Sequence, residues 1–237
     1  MAILRYSLTV GVTKAHWYHV YASGNWKYIY DLHASALRES GLAEELGDHL
    51  YLGIVGTPEE RQECKEYVAA SGLAFTVVAE QDEGWEQVTQ NALYEHVSSS
   101  EEELYVLYSH TKGATYGAGE VNSNNWRAAM TYWNVLRWKT VEEFLDEGCH
   151  IAGCHWQKGL EWQPYYFAGT FWWAKSSAIR KMGPPSMATR YCAETWIGIS
   201  TRTMPELRVA HLWPWPPMTA VTEESLDGFH PSVWVNP

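Results

Sequence analysis

A hydroxyl, an imidazole, a second hydroxyl, an ammonium and a glycine follow one another in the sequence Ser109-His110-Thr111-Lys112-Gly113. They come directly after a short apolar and aromatic run, 104–108, of the kind that forms a buried strand. In open α/β sheets, ligands bind in the crevice beyond the carboxyl ends of the strands. Lysine supplies a positive charge suited to phosphate, and glycine lets the backbone approach it closely. The segment therefore predicts a phosphate-binding turn, with an ordinary polar strand-to-loop junction as the alternative.

Two charged side chains in the second half of the chain lie on predicted helices. Arg127 is in the first turn of a helix expected over 126–138, which follows the capping sequence Asn122-Ser-Asn-Asn125. Its guanidinium is directed either towards an anionic ligand or into solvent. Glu194 is the carboxylate of a helix expected over 190–198, where it stands among apolar neighbours. These two residues are the charged candidates of this half.

The segments that must position these residues alternate between strand and helix patterns. Strands are predicted over 6–12, 50–55, 75–78 and 104–108, and helices over 26–40, 57–71 and 85–97. The second helix has the start signal Thr57-Pro-Glu-Glu60. This alternation predicts an α/β fold, a Rossmann-like domain with a mainly parallel central sheet. The sequence lacks GxGxxG, GxxxxGK[ST] and GxSxG, which argues against a dinucleotide-binding dehydrogenase, a P-loop NTPase and an α/β-hydrolase.

The second half continues with shorter elements and ends irregularly. Strands are predicted over 149–154 and 165–174, the latter passing through Gly169, and a helix over 175–182 is stopped by Gly183-Pro-Pro. The proline-rich stretch 212–217 argues against a regular helix or a central strand, so it predicts a lid or a tail folded back over the sheet. We therefore expect a single domain, with a nucleotide-binding half over 1–120, an acceptor and catalytic half over 121–210, and a tail or lid over 211–237.

The composition is that of a globular protein with an unusual aromatic content. The chain has 237 residues, of which 46% are hydrophobic and 19% charged, and it contains 14 Trp and 15 Tyr beside 5 Phe. Trp and Tyr combine a flat apolar face with a polar edge, which complements a sugar ring, although most of them are expected in the core. A formal net charge of −11 argues against a surface that grips a nucleic-acid backbone, so a nucleic-acid partner is disfavoured.

Cysteine spacing and apolar runs bear on the cellular compartment. Cys64, Cys149, Cys154 and Cys192 form no CxxC pair, so free cytosolic thiols are expected in preference to a zinc site. The sequence begins without a charged leader followed by a long apolar segment, and no run of about 18 apolar residues predicts a membrane span. We therefore expect a cytoplasmic protein.

The order of the later motifs resembles the second half of GT-A glycosyltransferases. The sequence Tyr166-Phe-Ala-Gly-Thr-Phe-Trp-Trp173 is followed by a helix, by Gly183-Pro-Pro and by Ala193-Glu-Thr-Trp196. Together with His-Thr-Lys-Gly at 110–113, this pattern is similar to that of small bacterial and viral glycosyltransferase-like proteins. The resemblance extends from about the first strand to Trp196. It implies a single GT-A-like domain that transfers a sugar from a nucleotide-sugar donor to an acceptor hydroxyl.

The resemblance also implies roles for individual residues. Ser109, His110 and Lys112 occupy the place where most GT-A enzymes carry an Asp-x-Asp that binds a divalent metal and the donor diphosphate. A lysine or a protonated histidine can hold a diphosphate without a metal, so dependence on Mn²⁺ or Mg²⁺ stays open. Glu194 matches the general base of inverting enzymes, with a structural carboxylate as the alternative. His211 matches a late metal-ligand histidine of some members, with a core or solvated histidine as the alternative.

The leading hypothesis places each substrate against one of these segments. The nucleotide would lie beyond the first strand at Val12 and Thr13, and its diphosphate would meet the donor-site residues Ser109, His110, Thr111, Lys112, Gly113 and Arg127. The sugar and the acceptor would lie against Gly169, Thr170, Phe171, Trp172 and Trp173. Neighbouring strand residues face opposite sides of a sheet, so one of the two tryptophans would face the cleft.

Three other functions stay open from the sequence. A non-catalytic carbohydrate-binding protein would explain the tryptophans, but such modules are mostly all-β and need no phosphate site. A nucleotidyltransferase would share the sheet, but it normally relies on acidic metal ligands. A nucleic-acid-base glycosyltransferase of viral type is disfavoured by the net charge. The sugar, the nucleotide, the acceptor and the oligomeric state do not follow from the sequence.

Overall fold

The computed structural model describes residues 11–116, 120–159, 164–214 and 226–236. In chain order the strands are β1 (Thr13–Tyr21), β2 (Leu50–Val55), β3 (Thr76–Gln81), β4 (Leu104–His110), β5 (Ile151–Cys154), β6 (Trp156–Lys158), β7 (Tyr165–Phe167), β8 (Trp172–Lys175), β9 (Arg208–Trp213) and β10 (Ser232–Val235). The helices are α1 (Trp26–Glu39), α2 (Leu42–Leu46), α3 (Pro58–Ala70), α4 (Gln87–Ser98), α5 (Val121–Thr131), α6 (Trp138–Asp146), α7 (Ser176–Met182), α8 (Tyr191–Thr195) and α9 (Ser200–Thr203). A π-helical turn, Tyr132–Leu136, precedes α6, and a 3₁₀ turn, Trp196–Ile199, joins α8 to α9.

Eight strands form one sheet in the order β10-β9-β5-β8-β4-β1-β2-β3, and β6 pairs with β7 in a separate ribbon. The pairs β1–β2, β2–β3, β1–β4 and β5–β9 are parallel, whereas β8 and β10 run against their neighbours. The predicted α/β fold with a mainly parallel central sheet is therefore confirmed. The chain moves outward from β1 to β2 and β3 and then returns to β4 on the other side of β1. The strand order thus reverses between β1 and β4.

The sheet is covered on both faces, which explains why its central strand is apolar throughout. In β4, Tyr105 and Leu107 belong to the hydrophobic cluster on one face, and Leu104, Val106 and Tyr108 belong to the cluster on the other. A strand buried on both faces has a continuous apolar run instead of an alternating one. The run over 104–108 was predicted as a buried strand for this reason, and the prediction is confirmed.

Local signals placed several elements correctly. Strand β2 has the predicted bounds, and helix α3 begins at Pro58 after Thr57. Thr57 and Glu60 form a reciprocal capping box, in which each side chain bonds to the other's backbone N–H. All four cysteines are free; Cys64, Cys149 and Cys154 are buried, and Cys192 in α8 is partly exposed.

The predicted position of the first strand is wrong. Gly11 and Val12 lie before β1, Thr13 is its first residue, and the remaining residues of the predicted strand, 6–10, lie outside the described ranges. The aromatic run over 15–21 forms the strand instead, and it is almost entirely buried between β2 and β4. Its two histidines find hydrogen-bond partners inside the protein, so they do not interrupt the buried strand.

Two predicted elements of the second half are interrupted. The strand expected over 165–174 is broken by a tight turn at Gly169 (φ +94°) and Thr170 (φ +58°), so β7 and β8 belong to different sheets. The helix expected over 126–138 begins earlier, at Val121, and gives way to the π-helical turn. A turn with two positive φ angles cannot continue a pleated strand, which is why the aromatic run divides.

The C-terminal segment contributes more to the sheet than its prolines suggested. His211, Leu212 and Trp213 are the last residues of β9, which lies between β5 and β10. Leu212 and Trp213 were expected to stay out of a central strand, and this is wrong for both. The first proline of the stretch, Pro214, comes directly after the last strand residue. Residues 215–225 of the predicted lid lie outside the described residues.

Candidate functional site

A cavity of about 740 Å³ opens beyond the carboxyl ends of β1, β2, β3 and β4, next to the point where the strand order reverses. This is the position at which open α/β sheets bind ligands. The cavity is lined by His19, Tyr21, Val55, Asp82, Glu83, Gly84, Trp85, Glu86, His110, Thr111, Lys112, Gly113, Ala114, Thr115, Tyr116, Thr170, Arg190, Tyr191 and Glu194.

The predicted phosphate-binding turn follows β4 and is tied to the end of β1. The backbone N–H of Thr111 donates to the carbonyl of His19 over 3.0 Å, and its Oγ1 accepts from the N–H of Tyr21 over 3.0 Å. Gly113 has φ +86°, a conformation that favours glycine, and a Cβ there would lie 3.3 Å from Ser123 Cβ. These contacts fix the turn so that Lys112 reaches the cavity.

Ser109 does not line the cavity, although it belongs to the same motif. The strand continues through Ser109 and His110, so their side chains point to opposite faces of the sheet. Ser109 is buried, and its Oγ lies 2.8 Å from Nε2 of His16. The expectation that Ser109 meets the donor diphosphate is therefore wrong.

Arg127 supports the turn from behind instead of facing a ligand. Its side chain is buried; Nη1 donates to the carbonyl of Lys112 over 2.9 Å, and Nη2 donates to Oδ1 of Asn124 over 2.7 Å. Arg127 is not among the lining residues, so it does not reach this cavity and its contacts hold the Lys112 carbonyl instead.

Lys112 is the cation of the turn, and its ammonium has no carboxylate contact among the residues that the structure describes. Nζ lies 4.2 Å from the centroid of the Trp126 ring, within the range of a cation–π interaction. Burial lowers the pKa of Lys112, while the carboxylates of Glu194 and Glu86 oppose that shift. The ammonium is thus partly desolvated and available to an anionic ligand.

His110 joins two neighbours through its two ring nitrogens. Nδ1 lies 3.0 Å from a carboxylate oxygen of Glu86, and Nε2 lies 3.0 Å from the carbonyl oxygen of Gly169. The backbone N–H of Gly169 in turn donates to Oε1 of Glu194 over 2.8 Å. The chain Glu86–His110–Gly169–Glu194, which we call the relay, thus connects the turn before α4, the end of β4, the β7–β8 turn and helix α8.

The acidic and imidazole groups at this end of the sheet differ in charge. Burial alone would raise the pKa of the Glu86 carboxyl, but the hydrogen bond from His110 lowers it to about 2. Burial lowers the pKa of His19 to about 4, against the effect of Glu86, so this imidazole is neutral near pH 7. Nδ1 of His19 lies 2.8 Å from Oγ1 of Thr89. Glu86 is therefore ionised and His19 is neutral.

Of the predicted sugar-binding segment, only Thr170 lines the cavity. Phe171, Trp172 and Trp173 are buried at 1%, 0% and 2% exposure. Trp172 stacks on Tyr108, and the indole N–H of Trp173 donates to the carbonyl of Asn134 over 2.8 Å. The expectation that one tryptophan faces the cleft is wrong, because helices cover both faces of the sheet at β8.

Exposed aromatic rings surround the cavity instead. Among the described residues, Tyr21, Tyr28, Trp85, Tyr116 and Tyr191 are the exposed aromatic side chains, at 38–59% exposure. All except Tyr28 line this cavity. Large exposed rings are costly to leave in water, and a cluster of them at one opening indicates a ligand with a flat face.

The remaining predicted positions lie elsewhere. Val12 and Thr13 stand at the amino end of β1, where Thr13 is paired with Leu104, so they are at the opposite end of the sheet from the cavity. The structure therefore does not bring them together with Lys112 and Glu194. His211 lies in β9, where Nε2 donates to the carbonyl of Trp213 over 3.0 Å. Within the described ranges, no three His, Cys, Asp or Glu side chains are grouped so that they could hold a metal ion.

Several lining residues were missed in the sequence. Glu86, Trp85 and Asp82 follow β3 and would have been found by applying the strand-end rule to that strand. Arg190 and Tyr191 were expected near Glu194 on the same helix but not as ligand-binding residues; the Arg190 guanidinium carbon lies 5.2 Å from the centroid of the Tyr191 ring, and both residues line the cavity. No sequence signal showed that the β7–β8 turn would bring Gly169 between His110 and Glu194.

Comparisons with known proteins show the family of this chain. No curated protein matches its sequence. The fold can be superposed on the crystal structure of 4-diphosphocytidyl-2C-methyl-D-erythritol synthase from Anaerococcus prevotii DSM 20548, with 10% identity and a TM-score of 0.45, over 91% of this chain and 96% of the other. No described helix is long and apolar enough to cross a membrane. Residues 17–208 match a family described as a domain of unknown function, DUF8361, and the chain belongs to this family.

Proposed function

We propose that this protein is a glycosyltransferase that moves a sugar from a nucleotide-sugar donor to an acceptor hydroxyl, with inversion at the anomeric carbon. One observation carries the proposal: the cavity holds a carboxylate, Glu194, with one oxygen fixed by a backbone N–H, and a lysine ammonium, Lys112, without a carboxylate contact among the described residues. The first group suits proton removal from a hydroxyl, and the second suits a leaving diphosphate.

The donor lies along the turn after β4 and under the aromatic rings. Lys112 and Arg190 bring positive charge to the cavity, and His110 and Thr111 stand beside them at the strand end. Phosphate oxygens are bound by such cations and by backbone N–H groups. The base or the sugar stacks on exposed rings such as Trp85 and Tyr191.

The transfer step uses Glu194 as the general base. The acceptor oxygen forms a bond to the anomeric carbon while the bond from that carbon to the phosphate oxygen breaks, and the nucleoside diphosphate leaves with the electron pair. The hydroxyl proton passes to Oε2 of Glu194, which accepts no hydrogen bond from any residue that the structure describes. Oε1 stays on the N–H of Gly169, which holds the carboxylate in place. Attack from the side opposite the leaving group inverts the configuration.

The first experiment measures ligand binding by thermal shift. The purified protein is heated with nucleoside diphosphates, their sugar conjugates and free oligosaccharides, each with and without Mn²⁺ or Mg²⁺. A ligand that binds the folded state raises the melting temperature by mass action. We expect a shift with one nucleotide that is lost in Lys112→Ala. A shift with oligosaccharides alone would instead indicate a carbohydrate-binding protein.

The second experiment tests the base. Release of nucleoside diphosphate from the donor that binds is followed for the wild type, for Glu194→Gln and for Glu95→Gln. Glu95 is an exposed glutamate of α4 whose carboxylate, within the described ranges, accepts a hydrogen bond only from Asn91, so its amide variant is a matched control. We expect Glu194→Gln to lower the rate at least about a hundredfold, because general-base catalysis contributes a factor of that order. Full activity in Glu194→Gln would refute the assignment.

A further inference from the structure

The relay begins at Glu86 and His110, and Glu86 was given no contact with a substrate group in the proposed function. We propose that Glu86 is a positioning residue: it holds His110 as an imidazolium, and His110 holds the Glu194 carboxylate through Gly169. The functional part of this inference rests on the proposed role of Glu194. The charge of His110 is a property of the free protein and is tested without any substrate.

The hydrogen-bond geometry of His110 determines its charge. Both ring nitrogens face oxygen acceptors, the Glu86 carboxylate and the Gly169 carbonyl, each at 3.0 Å. A neutral imidazole has one N–H and one lone pair, so it satisfies only one of these contacts. At the other contact, a nitrogen lone pair would then face an oxygen lone pair. The imidazolium donates to both acceptors, and the ionised Glu86 compensates its charge.

A proton on Glu86 is the other arrangement that would satisfy both contacts. In that case the carboxyl O–H would donate to Nδ1, and Nε2–H would donate to Gly169. The pKa of Glu86 is lowered to about 2, against the effect of burial, mainly by the hydrogen bond with His110. Glu86 is therefore ionised near pH 7 and can only accept at this contact, so an N–H of His110 donates to it. The side chains of both residues line the cavity.

The charged groups around His110 come from each element that packs against it. Glu86 approaches from the turn before α4, and the neutral His19 lies on the neighbouring strand β1. Lys112 belongs to the same strand-end turn, and Glu194 lies on α8 across Gly169. Glu86 is the carboxylate in direct contact, so it is the group whose removal changes the charge of His110 most.

Gly169 transmits the position of His110 because its turn has little freedom. A Cβ at Gly169 would lie 2.6 Å from Met130 Sδ and 2.9 Å from Trp126 Nε1. The next residue, Thr170, is β-branched and has φ +58°, an unfavourable backbone conformation that persists only where neighbours hold it. The bond from His110 to the Gly169 carbonyl is one of the contacts that hold the turn, and the Gly169 N–H fixes Glu194.

The experiment records side-chain ¹⁵N and backbone amide NMR spectra of the free protein near pH 7. His110 is assigned with His110→Gln, and the wild type is compared with Glu86→Gln and with the control Glu95→Gln. We expect the doubly protonated pattern at His110 in the wild type and in the control, and the singly protonated pattern in Glu86→Gln. The Gly169 amide resonance moves in Glu86→Gln and in Glu194→Gln, and it stays in place in the control.

Three results would overturn the inference. A neutral His110 in the wild type removes its basis, and this spectrum decides alone if Glu86→Gln does not fold. An imidazolium retained in Glu86→Gln removes the role of Glu86, and an unmoved Gly169 amide in that variant removes the connection to Glu194.

In the transfer assay, Glu86→Gln is expected to lower kcat about tenfold to a hundredfold with little change in KM, because only the position of the base changes. An unchanged kcat refutes the positioning role. If the wild type transfers no sugar, the proposed function fails while the NMR result stands.

Discussion

Acid should destabilise this protein through histidines that are buried in the neutral form. His16, His19 and His33 are buried, on β1 and α1. Burial lowers the pKa of His33 to about 3 and that of His19 to about 4, and it lowers the pKa of His16 well below 6.5. His33 stacks on Tyr18 with ring centroids 4.5 Å apart, and its Nε2 lies 3.4 Å from Nε2 of His16. A second proton on these rings would be a buried, uncompensated charge.

The sign and size of the effect follow from proton linkage. Below pH 6.5 the unfolded chain binds protons at these histidines, whereas the folded chain does not until the pH approaches the lowered values. The free energy of unfolding therefore falls as the pH falls, and the loss is present from about pH 6.5 down to about 3–4. For His19 and for His33, the change from about pH 7 to about pH 5 costs about 2 kcal/mol each, so these two rings together cost about 4 kcal/mol, and His16 adds to the loss in the same direction. Domains of this kind are stable by only about 5–15 kcal/mol, so the loss is large.

Urea unfolding at the two pH values measures this loss. The wild type is compared with His33→Phe, which keeps an aromatic ring against Tyr18 and binds no proton, and with His230→Gln, which changes an exposed histidine. We expect His33→Phe to lose about 2 kcal/mol less than the wild type between the two pH values, and His230→Gln to lose as much as the wild type. If the wild type and His33→Phe lose the same free energy of unfolding between the two pH values, the reasoning is refuted, whatever the stability of the variant at pH 7.

Two further substitutions test the turn and the rim of the cavity. Gly169→Ala should lower the free energy of unfolding, measured with urea, by about 2–4 kcal/mol, because it adds a positive-φ penalty to a clash with Met130 and Trp126. The control is Gly72→Ala, where φ is also positive (+79°) but the space around a Cβ is open. It should lower the free energy of unfolding by only about 1–2 kcal/mol. Equal losses would mean that the clash relaxes. Trp85→Ala should raise the Kd of the nucleotide found by thermal shift about tenfold through lost stacking, and Tyr28→Ala, which removes an exposed ring outside the cavity, should leave it unchanged in a titration. Equal affinities in wild type and Trp85→Ala would exclude that ring from the site.

Elements with local signals were predictable from the sequence. The capping sequence at Thr57 fixed the start of α3, and the apolar run over 50–55 fixed β2. The position of the polar residues 109–113 beyond a buried strand was also predictable, because a run of polar residues and a glycine follows the apolar run over 104–108. His110, Thr111, Lys112, Gly113 and Glu194 all line the cavity that the structure shows.

Features that depend on distant contacts were not predictable. The strand was predicted to end at residue 108, but β4 continues through Ser109 and His110. Because side chains alternate between the faces of a strand, only one of these two residues faces the cavity. The burial of the two histidines of β1 did not follow from the sequence, because their partners, Ser109 and Thr89, are far away in sequence. The tryptophans at 172–173 pointed to a sugar because sequence alone does not tell a core ring from a stacking ring.

The single partly exposed cysteine has a practical consequence. Cys192 lies in α8, two residues before Glu194, while the other three thiols are buried. Burial opposes ionisation of Cys192, but hydrogen bonds from Thr189 and Ser186 lower the pKa of its thiol. A thiol-reactive fluorophore therefore attaches at one native position beside the cavity, without any engineered cysteine. Its emission would follow ligand entry in real time, and it would provide the donor screen with a signal that does not depend on melting.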